Sequence, residues 1–459
     1  MAGSQNKTSL LANGTATGDG GLLLCNCSVI QLEEPGSEPV VNKGVHILVR
    51  NKVIEYMGPT PVIPSQVIDV GGRYVLPGLC DAHVHVTAVT ADLHELTQFP
   101  PSLVIARATK VLRKMLLRGF TTVRDVGGCD WGLAKAVEEG SISGPRILFS
   151  GSALSQTGGH GDFRLPSEDQ LCGCSCSRSS VNLGRVCDGV PEVRKAARDE
   201  LRKGASQLKI MVSGGVASPT DHVKNLQFSA EEISAVVEEA ENVGAYVCAH
   251  AYTAASVKRA LELGVRSIEH GNFVDNQCLD LMKSNGAFLV PTLVTYDCIC
   301  RHGEVAGMPK AIVNKVADLL ECGIQALALA EDKGVNICFG TDLLGAMHDY
   351  QLEEFKLRSK VLSAASILRS ATSTCAKLFC LEGKVGVIAV GAYGDLLVLE
   401  KNPLIGIHSM LDPDNITMIL KEGEIVSSKT LIPRVLDTGC IIKHFEGGRS
   451  AQQLLQPSA

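Results

Sequence analysis

The sequence predicts an α/β fold: a (β/α)8 TIM barrel carrying a small β-sandwich domain built from both chain ends. Three observations carry this expectation. A helix–glycine–strand phrase recurs six times, eight short apolar strands follow one another along the chain, and ligand-type residues sit at the ends of five of those strands.

The recurring phrase is an amphipathic, charged segment that ends in glycine and releases a β-branched run. It occurs in LLRGFTTVRD (Gly119), LRKGASQLKIMV (Gly204), ENVGAYVCAH (Gly244), LELGVRSIEH (Gly264), KSNGAFLVPT (Gly286) and EDKGVNICFGTD (Gly334). Glycine just past a helix takes positive φ at little cost and closes it. Strands that are apolar throughout are those buried on both faces, and their alternation with helices predicts parallel βα units. The barrel strands are expected at 75–83, 120–125, 146–151, 207–213, 246–250, 266–270, 288–292 and 336–342. An open doubly wound sheet is the rival.

The chain ends read differently. Residues 21–74 hold hairpin-like strands, with a turn near Asn51 in GVHILVRNKVIEYMG; residues 387–440 hold GDLLVLEKNP and ITMILKEGEIV. Neither end alone has enough strands to bury a face, so the two are expected to pair into one small β-sandwich. The resulting organisation is a tail at 1–20, sandwich at 21–74 and 387–440, metal-dependent barrel at 75–386, and a tail at 441–459.

Composition excludes several classes. The 459 residues are 45% hydrophobic and 20% charged, which is ordinary for a globular chain and argues against wholesale disorder. A formal charge of −6 offers no basic footprint for nucleic acid. No apolar run of about 18 residues appears, so no membrane span is expected. The first twenty residues have no apolar signal-peptide core. Most of the seventeen cysteines, such as Cys248, Cys338 and Cys375, sit in apolar runs, where they act as small hydrophobes. Both features fit a reducing cytoplasm. Sequons at Asn6, Asn13, Asn26 and Asn415 then carry little weight. Cys172, Cys174 and Cys176, with Cys187 nearby, miss the C-x2-C spacing of zinc sites. They read as free or loosely structural thiols in an insertion after strand 3, with a structural metal or redox sensing as alternatives.

The polar residues decide between the two sheet topologies. Strand 1 ends in Asp81-Ala-His83-Val-His85, strand 4 carries Lys209, strand 5 ends in His250, strand 6 in Glu269-His270 and strand 8 in Thr341-Asp342. A βα barrel builds its active site at these C-terminal ends, and an open sheet cannot bring strands 1, 4, 5, 6 and 8 to one point. His83 and His85 are two apart on a strand and face one way, a metal clip. His250 and His270, one βα unit apart, make a second pair. Imidazole and carboxylate together suit zinc and similar divalent ions. Lys209, between Leu208 and Ile210, is expected to be buried and to lose its proton readily. A neutral amine adds CO2 to form a carbamate, an anion able to bridge two metals. Asp342 completes the first metal and can accept the proton of a bridging water. Each residue also has a structural alternative: a strand-end lysine reaching for water, an aspartate capping a helix, a histidine satisfied in the core.

VLPGLCDAHVHV, KIMVSGGV, AHAYT, SIEHG, FGTDLLG and GAYGDLLVLEKNPL together resemble the amidohydrolase superfamily over about residues 40–426. Within it, SGSALSQTGGHGD, KIMVSGGVASPTD and FGTDLLGAMHDYQLEEF are similar to the prolidase-like metallo-carboxypeptidase branch that includes ochratoxinase. The resemblance implies a binuclear zinc centre with carboxylated Lys209, one metal on His83, His85 and Asp342, and the other on His250 and His270. It implies hydrolysis of a small amide or peptide that releases an amino acid (Xaa-Pro, Xaa-hydrophobic or N-acyl), in an enzyme that is a homo-oligomer. His160, in a glycine-rich loop, and Tyr252, two residues after His250, are expected beside Asp342 as catalytic residues that also touch substrate, Tyr252 as a donor to the developing oxyanion. Ochratoxinase-like relatives carry histidine where Tyr252 stands, so this chain departs toward the bacterial dipeptidase-like pattern. His348 and Arg124 are further substrate candidates; a surface position for His348 and a buried ion pair for Arg124 are the alternatives. A mononuclear deaminase or cyclic-amide hydrolase, which lacks the strand-4 lysine, and an inactive scaffold are the rival functions.

Overall fold

A computed structural model describes residues 21–32, 37–59, 66–168, 181–316, 318–429 and 434–435. Cys172, Cys174, Cys176 and the tails at 1–20 and 441–459 lie outside the described residues.

Eight parallel strands follow the expected order: Leu79–Val84, Phe120–Asp125, Arg146–Phe149, Leu208–Met211, Val247–Thr253, Ser267–Phe273, Phe288–Val290 and Asn336–Ile337. They are called strands 1 to 8 below. Strands 1–3 pair as one parallel sheet and strands 4–8 as another, which two unanticipated short strands, Ala153–Ser155 and Gly184–Val186, extend at its edge. Backbone hydrogen bonds cross between the two sheets on both sides. Ala82 N donates to Phe339 O at 2.7 Å, Asp342 N to His83 O at 2.9 Å, and Ser206 N to Phe149 O at 2.9 Å.

Helices such as Pro101–Leu117, Gly189–Arg202, Ala230–Glu241 and Asn276–Asn285 join successive strands. All six punctuating glycines adopt positive φ, from 63° at Gly286 to 94° at Gly204. Starts are set as locally as stops. Ser229 accepts from Glu232 N while the Glu232 carboxylate accepts from Ser229 N, a reciprocal cap that opens Ala230–Glu241.

The chain ends pair as expected, but as one branched sheet. Nine strands are hydrogen-bonded together, and Leu22–Gln31 pairs with three of them. The two ends join where Tyr74–Pro77 runs antiparallel to Leu396–Leu399. Residues 75–77 therefore belong to this sheet, and strand 1 begins later than expected. The physical reason lies at Gly78, where a Cβ would stand 2.1 Å from Thr121 Oγ1. Only glycine lets the chain pass so close as it leaves one sheet for the other. The hairpin at Asn51 and Lys52 has φ of 50° and 70°, the paired positive values a two-residue turn requires. Leu24, Ile47, Val75, Leu396, Val398 and Met418 form a core separate from that of the parallel strands.

Arg146, at the start of strand 3, ties the two units together. Its guanidinium stacks 4.1 Å from the Tyr393 ring centroid and donates at 2.8 Å to both Asp395 Oδ2 and Glu422 Oε1. Glu422 still reaches water, so Arg146→Ala should cost about 2 kcal/mol, less than the roughly 3–5 kcal/mol of a fully buried pair. Urea unfolding measures this, and adding Asp395→Ala should cost less than the sum of the single changes. Unchanged stability would mean that the contact is no more than a surface pair.

Candidate metal centre

His83, on strand 1, and His85, just beyond it, direct their Nε2 atoms to Asp342 Oδ1, at 3.4 and 3.3 Å. These three residues form a group whose ligand atoms lie within 4.8 Å of one another. The expected second pair stands beside them. The His83 and His270 ring centroids are 5.0 Å apart, and those of His270 and His250 are 4.7 Å apart. The row ends at His160, whose ring stacks on His250 at 4.1 Å.

The remaining nitrogens of these rings are tied down, and the partners set the tautomers. A carbonyl or carboxylate oxygen can only accept, so the ring nitrogen that meets it must carry hydrogen. His83 Nδ1 donates to Glu269 Oε2 at 2.7 Å, and His85 Nδ1 to Gly127 O at 2.8 Å. In the neutral rings this leaves Nε2 as the basic nitrogen beside Asp342; burial lowers the His85 pKa, but the Asp342 carboxylate, with Asp125, carries it above the ordinary imidazole value. His250 is reversed: Nε2 donates to Gly214 O at 3.1 Å, which leaves Nδ1 bare. His270 Nδ1 meets Thr292 Oγ1 at 2.8 Å. Such outer partners fix ring orientation in histidine metal sites.

Two of the converging residues have left-handed backbone, His270 at φ 73° and Asp342 at φ 51°. Neither is glycine, so each stores strain that the surrounding strands must hold. For Asp342 the brace is its own N–H, which donates to His83 O.

Lys209 is buried on strand 4, with Cys248 opposite it on strand 5. Among the described residues no hydrogen bond or ion pair engages its amine. Burial, the largest effect, pulls its pKa below the ordinary lysine range. Burial likewise lowers His250 and His270 well below the usual imidazole range, with His160 next for His250 and His83 next for His270. Neutral imidazoles are what a cation requires. Burial pushes the Asp342 carboxyl up, but His83 and His85 together hold it well below the usual range. A divalent cation suits this set, which combines bare imidazole nitrogens, an ionised carboxylate and an unpartnered buried amine.

Above these groups lies a narrow cavity of about 50 Å³, with His85, Asp342, His270, His160 and Tyr252 in its lining. Its walls are largely apolar, including Leu93, Phe163, Leu183, Met211, Val216 and Leu344. Burial keeps the Tyr252 hydroxyl protonated well above its ordinary pKa, so it remains a donor. Tyr296, which sequence reasoning missed, joins it. The two hydroxyls are 3.2 Å apart, and Tyr296 also reaches Asn272 Oδ1 at 3.2 Å.

Two expected substrate contacts lie elsewhere. Arg124 is fully buried, and its guanidinium is taken by Ala82 O at 2.6 Å, Ser267 Oγ at 3.0 Å and Glu269 Oε1 at 2.7 Å. It makes the buried ion pair that was its alternative reading. His348 is also buried and donates from Nε2 to Ala88 O at 3.1 Å; it is absent from the cavity lining. Its work is to hold the loop that follows His85. Glu269 was legible only as the neighbour of His270, yet it holds both Arg124 and His83. Its position as a lone acid in an apolar strand was the available signal.

A model of the amidohydrolase family matches residues 74–426. Among curated proteins, the chain is 30% identical over 416 residues to ochratoxinase from Aspergillus niger, covering 87% of this chain and 86% of that one. Among solved structures it is similar to a prolidase complexed with N-methylphosphonate-L-proline: 47% identity, TM-score 0.86, with 89% of this chain and 100% of that one covered. It is also similar to a Xaa-Pro dipeptidase with methionine bound in its active site, at 30% identity and TM-score 0.76, covering 88% and 99%.

Glu269→Gln tests the ring of outer partners. It removes the charge that orients His83 and leaves Arg124 uncompensated. Zinc titration of the metal-free variant should show affinity about 10–100-fold weaker than the parent. Equal affinity would restrict Glu269 to balancing the charge of Arg124.

Proposed function

The chain belongs to the amidohydrolase family, and on that premise we propose that it is a two-metal hydrolase of small amides that releases an amino acid. The observation that carries this reading is the grouping of His83, His85 and Asp342 beside the rings of His270 and His250, with one nitrogen each of His83, His85 and His250 committed to an oxygen acceptor, together with the buried amine of Lys209, which has no hydrogen bond among the described residues. His83, His85 and Asp342 would hold one ion, and His250 and His270 the other. Lys209 would join them after its neutral amine takes up CO2 and sheds a proton. Zinc is the ion that best suits this mixture of imidazole and carboxylate donors. Bound ions would polarise the scissile carbonyl and make water nucleophilic at neutral pH.

The chain's own residues do the rest. Asp342, ionised and reached from the cavity, accepts the proton of the attacking water and returns it to the leaving amine, which departs poorly as an anion. Tyr252 donates its hydroxyl hydrogen to the carbonyl oxygen as charge develops there. The apolar walls take an apolar side chain and exclude water from the reacting bond. Backbone hydrogen bonds on both sides of the two parallel sheets support a closed (β/α)8 barrel, the architecture that brings strands 1, 4, 5, 6 and 8 to one point.

For the substrate we favour a dipeptide ending in proline or another apolar residue. The 47% identity to a prolidase and the tyrosine at 252 support this choice over an ochratoxin-type amide. The buried strand-4 lysine argues against a mononuclear deaminase.

Three changes test the mechanism. Lys209→Ala should lower metal content below two ions per chain and abolish turnover; two ions with full turnover would remove the bridging role. Asp342→Asn should reduce kcat by about 10²–10⁴-fold, and an unchanged kcat would end its role as proton carrier. Tyr252→Phe should lower kcat by about 10²-fold with little change in KM, measured on Xaa-Pro dipeptides. A pure KM effect would instead make Tyr252 a ground-state contact.

A further inference from the structure

The proposed mechanism gives Tyr296 no task, although its hydroxyl lies beside that of Tyr252. It comes from the helix Leu293–His302 that follows strand 7, is buried, and shares the cavity wall with Thr295 and Ile299 of the same helix. A phenol has one hydrogen to give, and two oxygens stand within its reach: Tyr252 Oη and Asn272 Oδ1, both at 3.2 Å.

Asn272, on strand 6, is anchored from behind. Its Nδ2 donates at 2.8 Å to Leu319 O, at the start of the helix Leu319–Lys333. A carbonyl can only accept, so the amide nitrogen must face Leu319 and the amide oxygen must face Tyr296. Gly323 of that helix permits the close approach, since a Cβ there would stand 2.9 Å from Asn272 Nδ2. Asn272 is buried, and among the described residues Tyr296 is the donor that reaches its oxygen. Leaving such an acceptor empty costs roughly 1–3 kcal/mol. In the free protein Tyr296 therefore gives its hydrogen to Asn272, and Tyr252 gives its own to Tyr296. The Thr292 hydroxyl, also beside Tyr296, brings a hydrogen of its own and suits the second lone pair.

A reacting amide changes this order. Its neutral carbonyl competes weakly for the Tyr252 hydrogen, but an oxygen that carries developing charge competes strongly, because a hydrogen bond to a charged acceptor is about twice as strong. Once Tyr252 turns its hydrogen to that oxygen, it offers Tyr296 a bare lone pair. Tyr296 can follow by turning its hydrogen from Asn272 to Tyr252. Both moves are rotations about C–O bonds, and no bond to hydrogen breaks.

We infer that Tyr296 is a positioning residue that acts through Tyr252: it points at Asn272 in the free protein and at Tyr252 as charge develops on the substrate. A phenol that accepts a hydrogen bond is the better donor, so the second arrangement favours the transition state over the bound substrate. The substrate-bound arrangement rests on the amide-hydrolase reading; the order in the free protein does not.

The chain has seven tyrosines, so zinc-loaded protein labelled with ¹³C at the ring carbon that bears the hydroxyl gives seven signals, assigned with Tyr252→Phe and Tyr296→Phe. Tyr296→Phe should move the Tyr252 signal in the free protein. A phosphonate analogue of a Xaa-Pro dipeptide should move both the Tyr252 and Tyr296 signals of the unaltered protein. With a Xaa-Pro dipeptide as substrate, Tyr296→Phe should lower kcat about tenfold with KM within about twofold, and should lower it less than about twofold further in a Tyr252→Phe background. An unmoved Tyr252 signal, a phosphonate response confined to Tyr252, an unchanged kcat, a change in KM alone, or losses that multiply in the double variant would overturn the inference. Zinc-loaded protein that cleaves no dipeptide would overturn the hydrolase reading instead, and the spectrum of the free protein would still decide the order of the hydroxyls.

Discussion

The buried carboxylate of Glu269 is the interaction on which the centre of the molecule depends. It comes from strand 6 and holds Arg124 of strand 2 and His83 of strand 1, each at 2.7 Å. Burying a carboxylate and a guanidinium away from water costs several kcal/mol per ion unless both are paired and fully hydrogen-bonded. Here the second requirement is met by Ser267 Oγ on the carboxylate and by Ala82 O and Ser267 Oγ on the guanidinium. Burial works to raise the Glu269 pKa, but Arg124 and then His83 hold it far below the usual range. The carboxylate therefore stays ionised and can only accept, and from that follows the tautomer of His83. A charge pair buried in the core thus decides which nitrogen the first histidine offers.

The same device recurs with uncharged acceptors. Gly127 O sets His85 and Gly214 O sets His250, and each lies in the backbone just beyond a strand end. Asp125 shapes the first of these loops by accepting from Val86 N, Gly127 N and Cys129 N. The loop that carries the acceptor is thus built by a buried side chain of strand 2. Tautomer, ring orientation and backbone path are one constraint expressed three times, because the same oxygen that fixes a ring also fixes which of its nitrogens carries hydrogen.

Much of this was legible in the sequence. Helix-closing glycines and apolar strands gave eight strands in the right order, because both signals are local. His83, His85, Lys209, His250, His270 and Asp342 were legible because polar residues at strand ends stand out against an apolar background. The outer partners were not. Arg124 and Glu269 are separated by 145 residues, and nothing in a linear pattern says that a guanidinium will spend its hydrogens on a distant strand. Arg124 therefore read as a substrate contact and His348 as a residue beside the site. Residues 75–77 read as the start of strand 1 because they are apolar and continuous with it. Only the close approach at Gly78 shows that the chain changes sheets there.

The sheet built from the chain ends meets the parallel strands at their beginnings. Gly78 N, just before strand 1, donates to Asp395 O at 2.8 Å; Arg146 opens strand 3; and a Cβ on Gly119, just before strand 2, would stand 2.9 Å from Leu397. Most of the proposed ligands lie away from these ends: His83 is in the far half of its strand, His250 and His270 are at the midpoints of theirs, and His85 and Asp342 come from the chain that follows. Contacts at the N-terminal ends can therefore be strong and closely packed without reaching the cavity, while the loops at the C-terminal ends vary the walls without loosening the join. Lys209 is the exception. It is the second residue of its strand, and its long side chain must span the distance to the cluster through apolar surroundings. That path keeps water from the amine, so the position that makes Lys209 hard to bury as a cation is the one that favours its neutral, reactive form.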